Sequence, residues 1–431
     1  MLGRTLPMVR SVVACLVLLA VAGCVPAASH RRVPAIEYRN GHWFDGARFV
    51  DRTMWVVGDR FSEAAPAGPG TVTVVDLRGG FVVPPYAEGH NHWLEPARVD
   101  AYVQTYLRDG VFYVRDQGTS PTFHDAMRPA LGAPTSVDFV SAHQGFTGPG
   151  GHPMELIDQL AAMGILPAEW ATTHGEGEAL FAVASEADVD RAWPKLLAGR
   201  PDFVKLFLVH SDEYAARRDD RTLTPRQRGL DPALVPAIVR RAHAANLRVS
   251  AHVEDAHDFH VAVAGGVDEI AHMPFVSADA PDAYLLGDAD CEAAGRRNLS
   301  ISTTLDFLGD APRPRQLDVA RANLRNLERH GVQIAIGTDL FRETPRVEVE
   351  RIARFHLLTN LQILVAWAVT TPQAIFPGRK IGRLADGYEA SFLVLGADPL
   401  LDPANLEHIV DRVKRGRAVV PGPETLPPLG R

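Results

Sequence analysis

Between residues 81 and 339 the chain alternates eight times between a short, β-branched apolar run and a stretch of helical period, and few folds accept that pattern. The first run, Phe81–Val83, leads towards His90 and His92. The others are Val111–Asp116, 137–143, Phe203–Leu208, 247–252, 267–272, 299–304 and 332–339. Helical spacing lies between most of them, as in 232–245, where Leu234, Ile238, Val239 and Ala242 form one stripe, and in 320–330. Strands separated by helices lie parallel, because each crossover returns the chain to the same end of the sheet. Eight repeats predict an α/β chain wound as a (β/α)8 TIM barrel. An open doubly wound sheet is the alternative. The barrel is preferred because no Gly-x-Gly-x-x-Gly turn follows a strand, and the glycine-rich 145–151 lacks the Lys-Ser/Thr of a phosphate loop.

The flanks read differently. Short strands and turns fill 34–80: 36–39, a turn at Asn40-Gly41, 43–44, 53–57 and 71–77, with a Pro/Gly loop at 65–70. Strand texture returns in 382–395 and 406–420. Chain ends that flank one barrel commonly meet, so 34–80 and 380–425 are expected to form one small β-sandwich beside a barrel of 81–379. At 431 residues, 46% hydrophobic and 22% charged, the chain can bury a large core. Its formal charge of −8 argues against nucleic acid, whose binding rests on Lys and Arg contacts to phosphate.

Residues 1–23 stand apart. Arg4 and Arg10 precede an apolar run at 11–23 that is short for a membrane span and ends in small residues, the pattern of an export signal. Val21-Ala22-Gly23-Cys24 resembles the lipobox of bacterial lipoproteins, which implies a lipidated Cys24 at the start of the mature chain. Membrane attachment through that lipid is then expected, on the periplasmic side of the envelope. Val25 resembles the pattern sent on to the outer membrane of a Gram-negative cell. Cys291 would be the remaining free thiol, and no intrachain disulfide could form.

Chemistry concentrates at the carboxyl ends of the expected barrel strands, where such folds keep their active sites. His90 and His92 are two apart, so both project from one face. Lys205, His252, His272 and Asp339 end later runs. Four histidines, a carboxylate and a lysine on one rim suit a two-metal hydrolytic centre, which needs neutral nitrogens, a hard carboxylate and a bridge. An ammonium would repel cations, but a neutral Lys205 amine that has reacted with carbon dioxide becomes a bridging carbamate. Simpler readings are a plain barrel lysine at 205, a single metal, and Asp339 as a helix N-cap.

With these residues in order, the chain resembles the amidohydrolase superfamily, in the branch near imidazolonepropionase and the carboxylated-lysine prolidases. The resemblance is carried by Glu88-Gly89-His90-Asn91-His92, Phe203-Val204-Lys205, Val249-Ser250-Ala251-His252, Gly266 to His272 and Gly337-Thr338-Asp339. Thr371-Pro372-Gln373-Ala374 and Ile381 to Gly387 extend it. Gly89, at a position often alanine, and Ser391, where aspartate is common, depart from the family pattern. The resemblance implies His90, His92 and Asp339 on a buried metal, His252 and His272 on a more exposed one, and carbamylated Lys205 between them. Asp339 is implied as general base. Two divalent ions are expected, zinc first, with manganese, iron or cobalt as substitutes.

Other residues are candidates for substrate contact: His143, His152 in its glycine-rich loop, His210 and Tyr214. His257 and His260, spaced i, i+3, read as a solvated helix face, and Arg342 and Arg346 as anion holders or surface ion pairs. The reaction expected is hydrolysis of an amide-type C–N bond in a dipeptide, N-acyl amino acid or cyclic amide by metal-activated hydroxide. A lactonase or phosphotriesterase, and a non-catalytic binding lipoprotein, are the rival readings. The oligomeric state is left open.

Overall fold

The computed structural model describes residues 34–66 and 71–426. The apolar run at 11–23 and Cys24 lie outside the described residues. Among the described residues, no helix is long and apolar enough to cross a membrane.

Seven of the eight strand regions expected between 81 and 339 lie in two parallel sheets, and Tyr86–Asn91 takes the place of the first. One holds Tyr86–Asn91, Val111–Asp116 and Asp138–Ser141 in that order. The other runs Phe203–Leu208, Arg248–Val253, Glu269–Ile270, Ser300–Ser302 and Gln333–Ala335. Backbone hydrogen bonds join the sheets at both outer strands. Gly89 N donates to Ile336 O at 2.8 Å, and Asp339 N to His90 O at 2.8 Å. On the other side Asp202 N donates to Ser141 O at 2.9 Å.

Three details differ from the sequence reading. Phe81–Val83 is not part of the strand that bears the histidines; Pro84 and Pro85 separate them, and Phe81–Val83 pairs instead with Ala35–Phe44 and Phe392–Leu395. Proline lacks the N–H that a continuous ladder needs, so the run is cut in two. Asn40-Gly41 is not a hairpin turn. It is an irregularity inside one strand, Ala35–Phe44, with Asn40 at φ 56°. Finally, part of the glycine-rich stretch at 145–151 is strand: Gly145–Thr147 lies between Phe203–Leu208 and Leu180–Ala182. A Cβ on Gly145 would sit 2.4 Å from the Phe207 ring, so only glycine lets this strand approach.

The composite β module is seen in part, as one mixed sheet. Its order is Arg417–Ala418, Ile409–Lys414, Phe392–Leu395, Phe81–Val83, Ala35–Phe44, Phe49–Val57 and Arg60–Ser62, with Val72–Asp76 beside Ala35–Phe44. Apolar packing joins this sheet to the parallel ones in one core, which holds Trp43 and Phe392 with Tyr86 and Val111; Tyr86 also stacks on Trp367 at 3.8 Å and bonds Leu406 O at 2.9 Å. A buried ionic knot does the same. Asp138, on the third parallel strand, accepts from Lys414 at 2.8 Å, Arg379 at 2.7 Å and Arg415 at 2.8 Å.

Lys414 is 0% exposed, so deleting its partner strands a buried cation. We expect Asp138→Ala to cost about 3–5 kcal/mol of stability, read from urea denaturation midpoints.

Candidate functional site

Two neighbouring strand ends set the centre. On Tyr86–Asn91 the period of two puts Glu88, His90 and His92 on one face. Glu88 faces the same side but stays below the surface, where it accepts from the backbone N–H of His90 (3.0 Å) and Thr338 (3.1 Å) and from the Thr338 hydroxyl (2.9 Å). It thereby fastens the first strand to the segment that carries Asp339. Burial pushes Glu88 up to about 8. Asp339 takes the left-handed backbone conformation, φ 58°, which Asp tolerates better than most residues. Its Oδ1 is 3.2 Å from Nε2 of both His90 and His92. These three side chains place donor atoms within 4.8 Å of one another and could hold a metal ion.

Both imidazoles are oriented from behind. His90 Nδ1 donates to Ala271 O at 2.8 Å and His92 Nδ1 to Gly118 O at 2.7 Å. Bonds of this kind fix the tautomer and aim the Nε2 lone pair forward, as metal-ligating histidines require. Burial holds His90 down at about 4, a neutral ligand at neutral pH. Burial opposes ionisation of Asp339 as well, but His90 and His92 outweigh it and keep the carboxyl well below its ordinary range.

His252 and His272 form a second pair. His272 Nδ1 donates to Met273 O at 2.9 Å, and His252 Nδ1 lies 2.7 Å from His272 Nε2. Burial lowers both well below the usual histidine value. The ring of His272 is 5.3 Å from that of His90, so the two pairs adjoin. Lys205 completes the group. Its Nζ has one hydrogen-bond acceptor among the described residues, the neutral Gln117 Oε1 at 3.3 Å. Beneath it Gln117 Nε2 donates to Glu269 at 2.8 Å, and Glu269 pairs with Arg115. A buried ammonium without a carboxylate partner is costly, and burial brings Lys205 down to about 7. The amine is therefore available uncharged near neutrality.

His90, His92, Lys205, His252 and Asp339 line a cavity of about 870 Å³, while His272 lies buried behind the wall. His152 also lines it, its ring 4.7 Å from that of His252. The remaining substrate candidates are elsewhere. His143 is buried against His124, Nε2 to Nδ1 at 2.9 Å. His210 bonds Asp255 at 2.9 Å, and Tyr214 lines a separate small pocket with Gly148 and Arg217. Arg342 does reach the cavity wall, but Glu95 holds it at 2.7 and 2.8 Å. Arg346 pairs with Glu407 at 3.1 Å, and His260 with Asp290 at 2.7 Å.

Sequence reasoning gave no role to Glu88, Gln117 or Glu254. Glu88 could have been found, because it shares the i, i+2 face of the histidines. Gln117 follows the second strand with nothing to mark it. Glu254 lines the cavity 3.6 Å from His252 Nε2.

No family model matches this sequence, and no curated protein matches it. Solved structures do. A prolidase complexed with N-methylphosphonate-L-proline superimposes with a TM-score of 0.66 at 20% identity, covering 90% of this chain and 100% of its own. Ochratoxinase from A. niger gives 0.67 at 16%, over 90% of this chain and 96% of its own. Molinate hydrolase gives 0.68 at 14%, over 92% and 97%. The likeness is one of fold.

Lys205 titrates near 7 in the folded chain and near 10.5 when exposed. The unfolded state therefore holds the extra proton between those values, and stability rises with pH across the window. The contribution is complete above pH 10.5 and gone once pH has fallen through about 7. Denaturation midpoints of metal-free protein in carbonate-free buffer should climb from pH 7 towards 10, and Lys205→Met should climb less.

Proposed function

We propose that this chain is an exported, metal-dependent hydrolase that cleaves an amide-type C–N bond in a dipeptide, an N-acyl amino acid or a cyclic amide. The observation that carries the reading is the convergence of His90, His92 and Asp339 on one point, beside the His252–His272 pair and a buried, readily deprotonated Lys205. The neighbours support it: one is a prolidase complexed with N-methylphosphonate-L-proline. We read the two parallel sheets as one closed (β/α)8 barrel, supported by the backbone bonds at both outer strands, and the mixed sheet as part of a small β-sandwich.

The donor set fits two divalent ions. His90, His92 and Asp339 would hold one, and His252 through Nδ1 and His272 through Nε2 a second, with carbamylated Lys205 between them. With Nδ1 so engaged, the His252 proton belongs on Nε2, the atom that faces Glu254. Imidazole nitrogens with a hard carboxylate suit zinc, and manganese, iron and cobalt are compatible. When bound, such ions polarise the scissile carbonyl and lower the pKa of water towards neutrality.

The chain's own groups supply the rest. Asp339 accepts the proton of the attacking water at its carboxylate and returns it to the leaving nitrogen. The backbone bonds at Ala271 and Gly118 keep the histidine lone pairs aimed, so little reorganisation accompanies the reaction. On the sequence alone, we place the mature chain at the cell envelope on the periplasmic side, held by lipid on Cys24, and in the outer membrane of a Gram-negative host.

A panel of dipeptides, N-acyl amino acids, cyclic ureas and lactones, run on metal-supplemented protein, tests the reading. We expect amide hydrolysis that chelation abolishes and metal restores. Asp339→Asn should lower kcat by about 100-fold or more. Unchanged turnover in that variant would remove the proposed base, and less than one equivalent of bound metal would favour a binding protein.

A further inference from the structure

The cavity is built for more than a small polar amide. We infer that the substrate carries a long or bulky apolar acyl group, an inference that rests on the amide-hydrolase reading and narrows it. At about 870 Å³ the cavity lies towards the upper end of the ~300–1,000 Å³ usual for small-molecule sites. A dipeptide would leave much of that space against greasy walls.

Those walls have a definite origin. Between the third and fourth parallel strands the chain inserts a segment with helices Met154–Ala162 and Trp170–Thr173. Ile157, Leu160, Leu166 and Trp170 pack with Leu94 into an apolar cluster separate from the main core. The same five residues line the cavity. Phe123 stacks on Trp170 with ring centroids 5.5 Å apart and planes within 10°. On the loops after the sixth and seventh parallel strands, Phe275 and Phe307 form a second aromatic pair at 4.4 Å, also on the cavity wall.

Two of these wall residues keep much of their surface in water: Leu156 is 45% exposed and Phe307 47%. Large side chains left wet beside a concave apolar wall mark a place where an apolar ligand would displace water. Two of the arginines on the wall are already engaged. Arg342 is held by Glu95, and Arg351 by Asp306 and Asp310. Of the other polar groups on the wall, which include Glu155 and Arg226, His152 and Glu254 adjoin His252. The cavity thus has a reactive polar part and an apolar annex. An N-acyl amino acid with a long aliphatic or an aryl acyl group matches both. Its cleavage is plain hydrolysis: the amide C–N bond breaks, a C–O bond forms from water, and the proton goes to nitrogen, giving a carboxylate and an amine.

The test separates the annex from the chemistry. Unbranched carboxylates from four to twelve carbons, the products expected, are titrated calorimetrically into the zinc-loaded enzyme. N-acyl-L-alanines of the same lengths are assayed for hydrolysis in parallel. Affinity should rise about threefold to fourfold per added methylene, and the slope should flatten in Leu156→Asp and Phe307→Asp, both at half-exposed positions that tolerate a polar side chain. Affinity independent of chain length, or a slope that both variants leave unchanged, overturns the inference. A steep slope with no amide hydrolysed keeps the annex and sinks the hydrolase reading. Hydrolysis of short dipeptides with flat binding does the reverse.

Discussion

Everything at the site depends on how the strand Tyr86–Asn91 is tied to chain some 250 residues later. Glu88 is bonded to Thr338, and Gly89 and His90 share backbone hydrogen bonds with Ile336 and Asp339. These are short, buried and directional, and they set the distance between the two imidazoles and the carboxylate more tightly than side-chain packing could. Gly89 shows how close the approach is. A Cβ there would meet Ile336 O at 2.8 Å and the Ser302 hydroxyl at 2.9 Å. The Thr371 hydroxyl braces the same edge, accepting from Ile336 N at 2.8 Å and donating to Ala366 O at 2.6 Å. Gly89 and the Thr-Pro that opens the helix Thr371–Ile375 both serve this contact.

Much of this was legible in the amino-acid order. Parallel strands buried on both faces leave near-continuous apolar runs, and seven of the eight regions read that way hold a strand of the parallel sheets. The histidines could be placed because a period of two leaves little freedom. What escaped was governed by backbone and by contacts distant in sequence. Pro84-Pro85 cuts one apolar run into two strands of different sheets, and Asn40 absorbs a bulge that reads locally as a turn. Gly145 looks like loop chemistry but lies in a strand, because Phe207 takes the space of its missing side chain. His143, His210 and Tyr214 sit near the expected rim in sequence, yet local partners turn them elsewhere. Nothing short of tertiary structure shows that His143 has His124 to bond, or His210 Asp255.

Burial also shapes the electrostatics, with one exception. His90, His152, His252 and His272 are all pressed towards neutrality, and Lys205 is brought to about 7, whereas at His92 burial is outweighed by Asp339 and the imidazole is raised. Asp339 is kept firmly anionic by the two imidazoles it faces. That negative charge attracts cations, and it favours the protonated form of the imidazoles beside it, as His92 shows. The polar floor beneath, where Arg115 and Glu269 neutralise each other, adds little net field.

The mixed sheet has a consequence for how the molecule is made. Phe392–Leu395 lies between Phe81–Val83 and Ile409–Lys414, so the middle of the sheet is filled by a strand made only after all the parallel strands. Until they arrive, the early strands present an unpaired edge, the kind of surface on which nascent chains associate wrongly. Assembly of that edge must therefore wait for Phe392–Leu395, and a chain held unfolded until that strand is made avoids the hazard.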